Sequence, residues 1–407
     1  MAVDRGVGGR WGALALLSGA ELLGMSLWFT ASAVAPELAD RWGLDAAQAG
    51  WLTTVVQIGF VVGTAVAATL NLADIVPDRL YFAGSAALGA LANLAIVIAP
   101  GYASALALRF LTGFFLAGVY PPAMKMIATW FQSGRGLAIG TVVGALTIGK
   151  GTPYLIGAMG DASVGRVVGM ASAGALIAAM LVLTGYRPGP YPFRRRPFSW
   201  GLVGAVMRHR PTRLAVYGYL GHMWELYAVW TLVAVYFSQF FAARAGGGEV
   251  LGSLVGFATI AIGGAGCVLA GSWADRLGRE RVAAWAMVVS GTCSLIMGWL
   301  MAAPALVVVP LALIWGFAVV ADSAQFSALV TEVAPKHAVG TALTLQTSLG
   351  FALTAVSIWL TIELAGRFGW GPAFSLLAIG PAFGVGAMLR LKGIRLGVAT
   401  QGPKSGA

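Results

Sequence analysis

Apolar runs of about twenty residues follow one another along almost the whole chain, from Trp11 to the neighbourhood of Arg390. A helical run of that length matches the hydrocarbon thickness of a bilayer. Inside lipid every peptide N–H and C=O needs a partner within the protein, which leaves helices or closed barrels. The alternation of apolar and polar residues that barrel strands require is absent, so helices are expected. Composition agrees, with 58% hydrophobic and 10% charged residues among 407, against roughly a quarter charged in soluble domains. A soluble enzyme is excluded.

Turn-rich breaks divide the runs into twelve expected spans: 11–34, 48–72, 80–99, 103–128, 136–158, 164–184, 214–240, 250–273, 282–301, 305–330, 339–363 and 370–390. An even number puts both chain ends on one side. Nineteen basic residues then fall on that side, against Arg41, Arg166, Arg244 and Arg367 on the other. The excess marks the first side as cytoplasmic, with both termini there, in a multi-pass bacterial cytoplasmic membrane protein. The basic stretch before Trp11 leads into an apolar run too long for a signal peptide, so a retained first helix is expected. The longest break, 185–213, holds seven arginines and five prolines. It reads as a cytoplasmic linker between two six-helix units, 1–184 and 214–407, and its arginines suit anionic lipid headgroups. Much of the formal charge of +11 is therefore topology, and nucleic acid is not expected as a partner. Cys267 and Cys293 lie in apolar runs and read as inert thiols.

Charges inside spans are costly and need a partner, a cavity or a function. Arg109 and Lys150 lie at similar depth in the fourth and fifth spans. Two cations at one level suit an anionic substrate; an arginine tied to backbone carbonyls and a snorkelling lysine are the competing readings. Lys125 follows Tyr120-Pro121-Pro122, where the prolines should kink the helix, and lines a pathway or snorkels. Glu21 and Glu225 occupy corresponding first helices of the two halves, with His222 one turn from Glu225. All three are candidates for proton coupling, against structural hydrogen bonding. Trp28, Trp224, Tyr227, Trp230 and Tyr236 are candidate cavity walls or packing, and Asp322, Gln325, Gln346 and Thr347 candidate polar lining. Enzyme constellations are missing. Without a Walker lysine loop ATP does not drive a cycle, and His209, His222 and His337 lack metal spacing, so neither cofactor nor metal is expected.

The two halves repeat. Gly271-Ser-Trp-Ala-Asp275-Arg276-Leu-Gly278-Arg279 follows the second helix of one half, and Leu70-Asn-Leu-Ala-Asp74-Ile-Val-Pro77-Asp78-Arg79 that of the other. Their aspartates are 201 residues apart, and Glu21 with Glu225 and Gly149 with Gly350 recur at similar offsets. The second-half loop resembles the hallmark loop of the major facilitator superfamily, and Arg109-Phe-Leu-Thr-Gly113 resembles that family's second motif. The resemblance spans the chain and implies an all-α fold of two pseudo-symmetric six-helix bundles. It also implies a conformational latch made by Gly271, Asp275, Arg276, Gly278 and Arg279, joining the eighth and ninth helices to the tenth and eleventh. Glu332 is its acidic partner. Asp74 and Arg79 are the first-half counterparts, in a loop where Leu70, Pro77 and Asp78 depart from the pattern.

Tyr120-Pro-Pro-Ala-Met-Lys125 and Leu345-Gln-Thr-Ser-Leu-Gly350 resemble bacterial members near the nitrate/nitrite porters. The arginines such porters carry in their second and eighth helices are missing here. The reading favoured by the sequence is a proton-coupled secondary transporter of a small organic anion, working as a monomer. Arg109, Lys150, Lys125, Trp28, Trp224, Tyr227 and Gln346 would bind the cargo. A drug or cation/proton antiporter using Glu21 and Glu225 is the alternative, and a non-transporting membrane sensor a remote one.

Overall fold

The computed structural model of the chain describes residues 9–160, 163–191, 199–245 and 248–400. Among these, twelve helical segments cross the molecule and no strand occurs. The first half contains α1 (Gly9–Met25), α2 (Ala46–Thr69), α3 (Asp78–Leu94), α4 (Tyr102–Leu116, resuming as Tyr120–Ala128), α5 (Arg135–Ala158) and α6 (Val164–Gly185). The second contains α7 (Arg210–Ala245), α8 (Gly248–Leu277), α9 (Arg279–Met297), α10 (Ala305–Ala321, resuming as Ser323–Val333), α11 (Val339–Phe368) and α12 (Trp370–Leu377, resuming as Ile379–Thr400). Ten of the twelve are long and apolar enough to cross a membrane by length and composition. Of the other two, α1 runs for only 17 residues before it breaks, and Lys150 with several glycines and threonines dilutes α5. The linker contributes one short helix, Trp200–Arg208, and α7 begins within the expected linker range.

Four breaks depart from uninterrupted spans, one of them at Ala378 of α12. The first expected span divides at Ser26–Phe29 and resumes as a short helix, Thr30–Ala33, followed by Ala35–Trp42 on the surface. In α4 the break falls at 117–119, before the proline pair and not at it. Pro121 and Pro122 then sit in the first turn of the resumed helix, where a missing N–H costs no helical bond. At the corresponding place α10 breaks at Asp322. A break at membrane depth persists only where protein groups satisfy the freed carbonyls, so each break points to a polar partner nearby.

The chain start, the linker and the last helix meet on one side. Arg10 stacks over Trp11 and Phe131, the Tyr191 N–H donates to the Thr129 carbonyl at 3.0 Å, and Arg395 pairs with Glu280 at 2.7 Å. This is the basic side. Over its half of the molecule α5 packs directly on α8. A Cβ placed on Gly144 would lie 2.8 Å from the Gly264 carbonyl oxygen, so only glycine permits that approach. The halves are therefore closed on the basic side. Towards the opposite face a cavity lies between them, with α2 and α11 still touching at Gly50 and Ile362.

Candidate transport site

A cavity of about 850 Å³ opens between the halves on the face opposite the basic side. Ser32, Thr53, Tyr154 and Thr231 line its deeper part, and Glu37, Asp40, Asp45 and Glu249 its mouth. Among the described lining residues four are acidic and none is Lys, Arg or His. At the mouth Glu37 pairs with Arg41 at 2.9 Å, and Asp45 caps the start of α2 by accepting from the Gln48 N–H at 2.7 Å.

An aromatic layer lies beneath. Trp28 packs on Phe60, Tyr227 and Phe351 with ring centroids 5.3–5.6 Å apart, and Phe60 meets Phe351 at 4.3 Å. Rings from α2, α7, α11 and the break after α1 thus meet across the seam. Lys150, almost fully buried, projects from α5 into this layer. Its Nζ stands 4.2 Å from the Trp28 ring centre, 4.6 Å from Tyr227 and 5.2 Å from Trp230, and donates to the Tyr227 hydroxyl. Cation–π attraction grows when the cation is desolvated, to about 2 kcal/mol per contact. This cage, and not a lipid headgroup, holds the lysine.

Glu21 lies nearby on α1, with no exposed surface. Neither carboxyl oxygen has a hydrogen-bond partner among the described residues. Lys150 and Tyr120 lie within its electrostatic reach. Gln346 and Gln57 are also fully buried with unpartnered amide groups. A buried polar group without a partner costs about 1–3 kcal/mol. Such a concentration at the centre of a helical bundle marks a place where a partner arrives.

Arg109 has a different environment. Its Nε donates to the Leu52 carbonyl at 3.1 Å, and Nη1 donates to the Leu27 carbonyl, Thr30 and Asn93 at 3.0 Å each. Nη2 donates to the Trp28 carbonyl. All three nitrogens are therefore engaged by protein acceptors, two of which are carbonyls freed by the break after α1. Arg109 and Lys150 meet the same residue, one at the Trp28 carbonyl and the other at its ring. Their geometry is that of a clamp and a caged cation, not of two donors converging on one anion.

The second-half glutamate is bonded on both carboxyl oxygens. Glu225 accepts from Ser290 Oγ and Trp315 Nε1, both at 2.7 Å, and from Ser294 Oγ. His222 Nδ1 lies 2.8 Å from Asp322 Oδ1, at ion-pair distance but without an aligned hydrogen bond, and its Nε2 lies 2.8 Å from Ser323 Oγ. This pair spans the break in α10. Trp224 turns away from the seam and donates to the Leu376 carbonyl at 3.2 Å, while Tyr236 donates to the Met297 carbonyl at 2.9 Å.

At the basic side Arg279 joins Glu332 at 2.7 Å, Gln325 at 2.9 Å and Asp275 at 3.2 Å. Gly278 turns the chain there at φ 92°, a conformation that requires glycine. Gly271 packs on the Gly136 carbonyl. The Asp275 carboxylate stands over Gly136, in the first turn of α5, where an acidic group suits the helix dipole. These contacts join α9 to α10, and Asp275 reaches the first turn of α5 in the other half, whereas α10 and α11 were the expected partners. Arg276 and Arg79 are exposed, and the side chain of Asp74 lies outside the described residues. Lys125, expected in a pathway, pairs with Asp78 at 3.1 Å, both partly exposed.

The sequence reading passed over Asn93, Thr30, Tyr120 and Gln57. Asn93 is one of two asparagines in the chain, and a carboxamide inside an apolar run was a sufficient signal.

Two six-helix bundles, closed on one side and flanking a cavity towards the other, with a buried polar seam between them, define a multi-pass membrane transporter. The sequence profile of the Major Facilitator Superfamily matches residues 16–357, and the chain belongs to that superfamily. Among solved structures, the nucleoside transporter NupG, crystallised as a point mutant, is similar at a TM-score of 0.70 and 13% identity. The match covers 93% of this chain and 99% of that one. No curated protein matches the sequence.

Proposed function

We propose that this transporter exchanges a small organic cation for protons by alternating access, with Glu21 as the proton-carrying group. The observation that carries this reading is the carboxyl of Glu21, fully buried and unpartnered beside a caged lysine. Such a group is tolerated when it carries a proton or faces a cation, and a transport cycle alternates between the two. The acidic mouth of the vestibule supports a cationic cargo over the organic anion favoured by sequence. With Glu37 paired to Arg41, Asp40, Asp45 and Glu249 still leave the described lining an acidic excess, which favours cations over anions. The engagement of Arg109 with protein acceptors removes one of the two groups meant for an anion. Nucleoside transport, the activity in the structural relative's name, is not carried over at 13% identity. The excess of basic residues supports a cytoplasmic basic side, so the vestibule opens away from the cytoplasm, and a single chain carries the whole seam.

The test uses proteoliposomes containing a pH dye, challenged with phenethylammonium or with benzoate. Phenethylammonium should drive proton movement in the wild type and not in Glu21→Gln. Proton-linked benzoate movement with phenethylammonium silent would overturn the reading.

A further inference from the structure

The aromatic cage is unusual in being filled by the protein's own cation. We propose that the cage of Trp28, Tyr227 and Trp230 is the subsite for the ammonium group of the cargo, and that Lys150 is its tethered resident, which the cargo displaces onto Glu21. The inference rests on the cation/proton reading above and gives it a mechanism.

Four observations converge. The cage binds an ammonium at distances suited to cation–π attraction, 4.2–5.2 Å from three ring centres, so its chemistry is demonstrated by the lysine itself. The indole N–H groups of Trp28 and Trp230 are buried without acceptors among the described residues, leaving polar edges for an incoming molecule. The walls come from both halves, Trp28 from the break after α1 and the other two from α7, so the cage closes only when the halves meet. Finally, a second place for the lysine stands on the adjoining helix: Gly149 of α5 packs against Leu22 of α1, and the neighbouring Glu21 carboxyl has no hydrogen-bond partner among the described residues.

The backbone at Lys150 is held in place. A Cβ on Gly149 would lie 2.1 Å from the Leu22 carbonyl oxygen, so α5 and α1 touch there, directly beside Glu21. The side chain of Lys150 swings while its helix stays. The titratable groups acting on Glu21 are Lys150 of α5 and Tyr120 of α4.

Charge balances through the exchange. With Lys150 in the cage and Glu21 protonated, the site carries one positive charge. When a monovalent cation enters, the O–H bond of Glu21 breaks, water takes the proton, and the carboxylate receives the Lys150 ammonium. Cargo, lysine and carboxylate again sum to one positive charge. One proton leaves for each cation, and exchange is electroneutral.

The probe is phenethylammonium, titrated by tryptophan fluorescence into purified full-length wild type, Lys150→Met and Lys150→Arg, with thermal midpoints recorded for all three. Lys150→Met empties the cage and should bind the probe at least about tenfold more tightly than wild type, while losing proton exchange. Lys150→Arg keeps a resident cation and should bind as weakly as wild type. Adding Trp28→Leu to Lys150→Met should abolish the gain. If wild type exchanges phenethylammonium for protons but Lys150→Met binds it no better, the displacement proposal fails and the transport reading stands. If no variant binds or moves the probe while benzoate is carried, both fail.

Discussion

Glu21 and Glu225 occupy the corresponding helices of two similar bundles, 204 residues apart, yet live in opposite chemical conditions. Glu225 accepts from Ser290, Ser294 and Trp315; Glu21 accepts from no described group. The helices differ too. Where α7 runs unbroken over 36 residues, α1 stops at Met25 and is stitched across its break by Arg109. Repetition has fixed where polar groups stand without fixing what satisfies them. One glutamate is bonded into its bundle, and the other is left open to a proton or a cation.

The largest effect should come from the stitch. Arg109→Met leaves the carbonyls of Leu27, Trp28 and Leu52, with Asn93 and Thr30, short of their buried donor. Each buried acceptor left unsatisfied costs about 1–3 kcal/mol. Solubilised Arg109→Met should therefore give little folded protein and a sharply lower thermal midpoint. Arg109→Lys, which keeps the charge but not the fork, should fall between. A variant with wild-type stability would show that the break in α1 holds without its clamp.

Next comes the direct contrast between the glutamates. Leucine at Glu225 strands the indole N–H of Trp315 and frees two serines, so Glu225→Leu should destabilise by about 2–3 kcal/mol. Leucine at Glu21 removes a buried polar group that had no described partner, so Glu21→Leu should be neutral or stabilising by about 1 kcal/mol, while proton-driven exchange disappears. Thermal midpoints in the same detergent measure both. Two shifts of the same sign would erase the distinction between the halves.

Much of this architecture was legible in the residues because hydropathy and basic-residue asymmetry are integrated over whole spans. The twelve crossings and the two buried glutamates followed from such sums. What escaped depends on side chains far apart in sequence. The break in α1 is invisible in Leu27-Trp28-Phe29, since the group that stabilises it is Arg109, over 80 residues away. The Lys150 cage likewise depends on the other half, 77 residues distant at Tyr227. Two cations at similar depth suggested one anion site because depth was readable and direction was not. The first-half loop was nearer to being solved. Its departures from the second-half pattern looked like decay, yet at the 201-residue offset Asp78-Arg79 faces Arg279-Glu280 with the charge order inverted.

That inversion gives the smallest predicted effect. Asp78 pairs with Lys125 from the resumed part of α4, as Arg279 pairs with Glu332 from the resumed part of α10. The two latches share a plan with exchanged signs. Pro77 stands where Gly278 uses a positive φ, and the first-half turn takes its positive φ earlier, at Asn71. Arg279 also holds Gln325 and Asp275, and Glu332 also meets Arg395; the Lys125–Asp78 pair is 30% and 23% exposed. A partly exposed pair contributes about 0.2–1 kcal/mol, enough to shift a two-state population by a few-fold. Asp78→Lys should therefore raise the open population on the basic side about twofold to fivefold, read by cysteine-accessibility labelling across α4 and α9. Combining it with Lys125→Asp should restore the wild-type level, because the exchanged pair keeps its attraction. Raising salt should mimic the single variant in wild type and have less effect on the double. Were Asp78→Lys silent, or Lys125→Asp unable to rescue it, the first-half pair would be topology alone, and closure on the basic side would rest on the second-half network and the α5–α8 glycine seam.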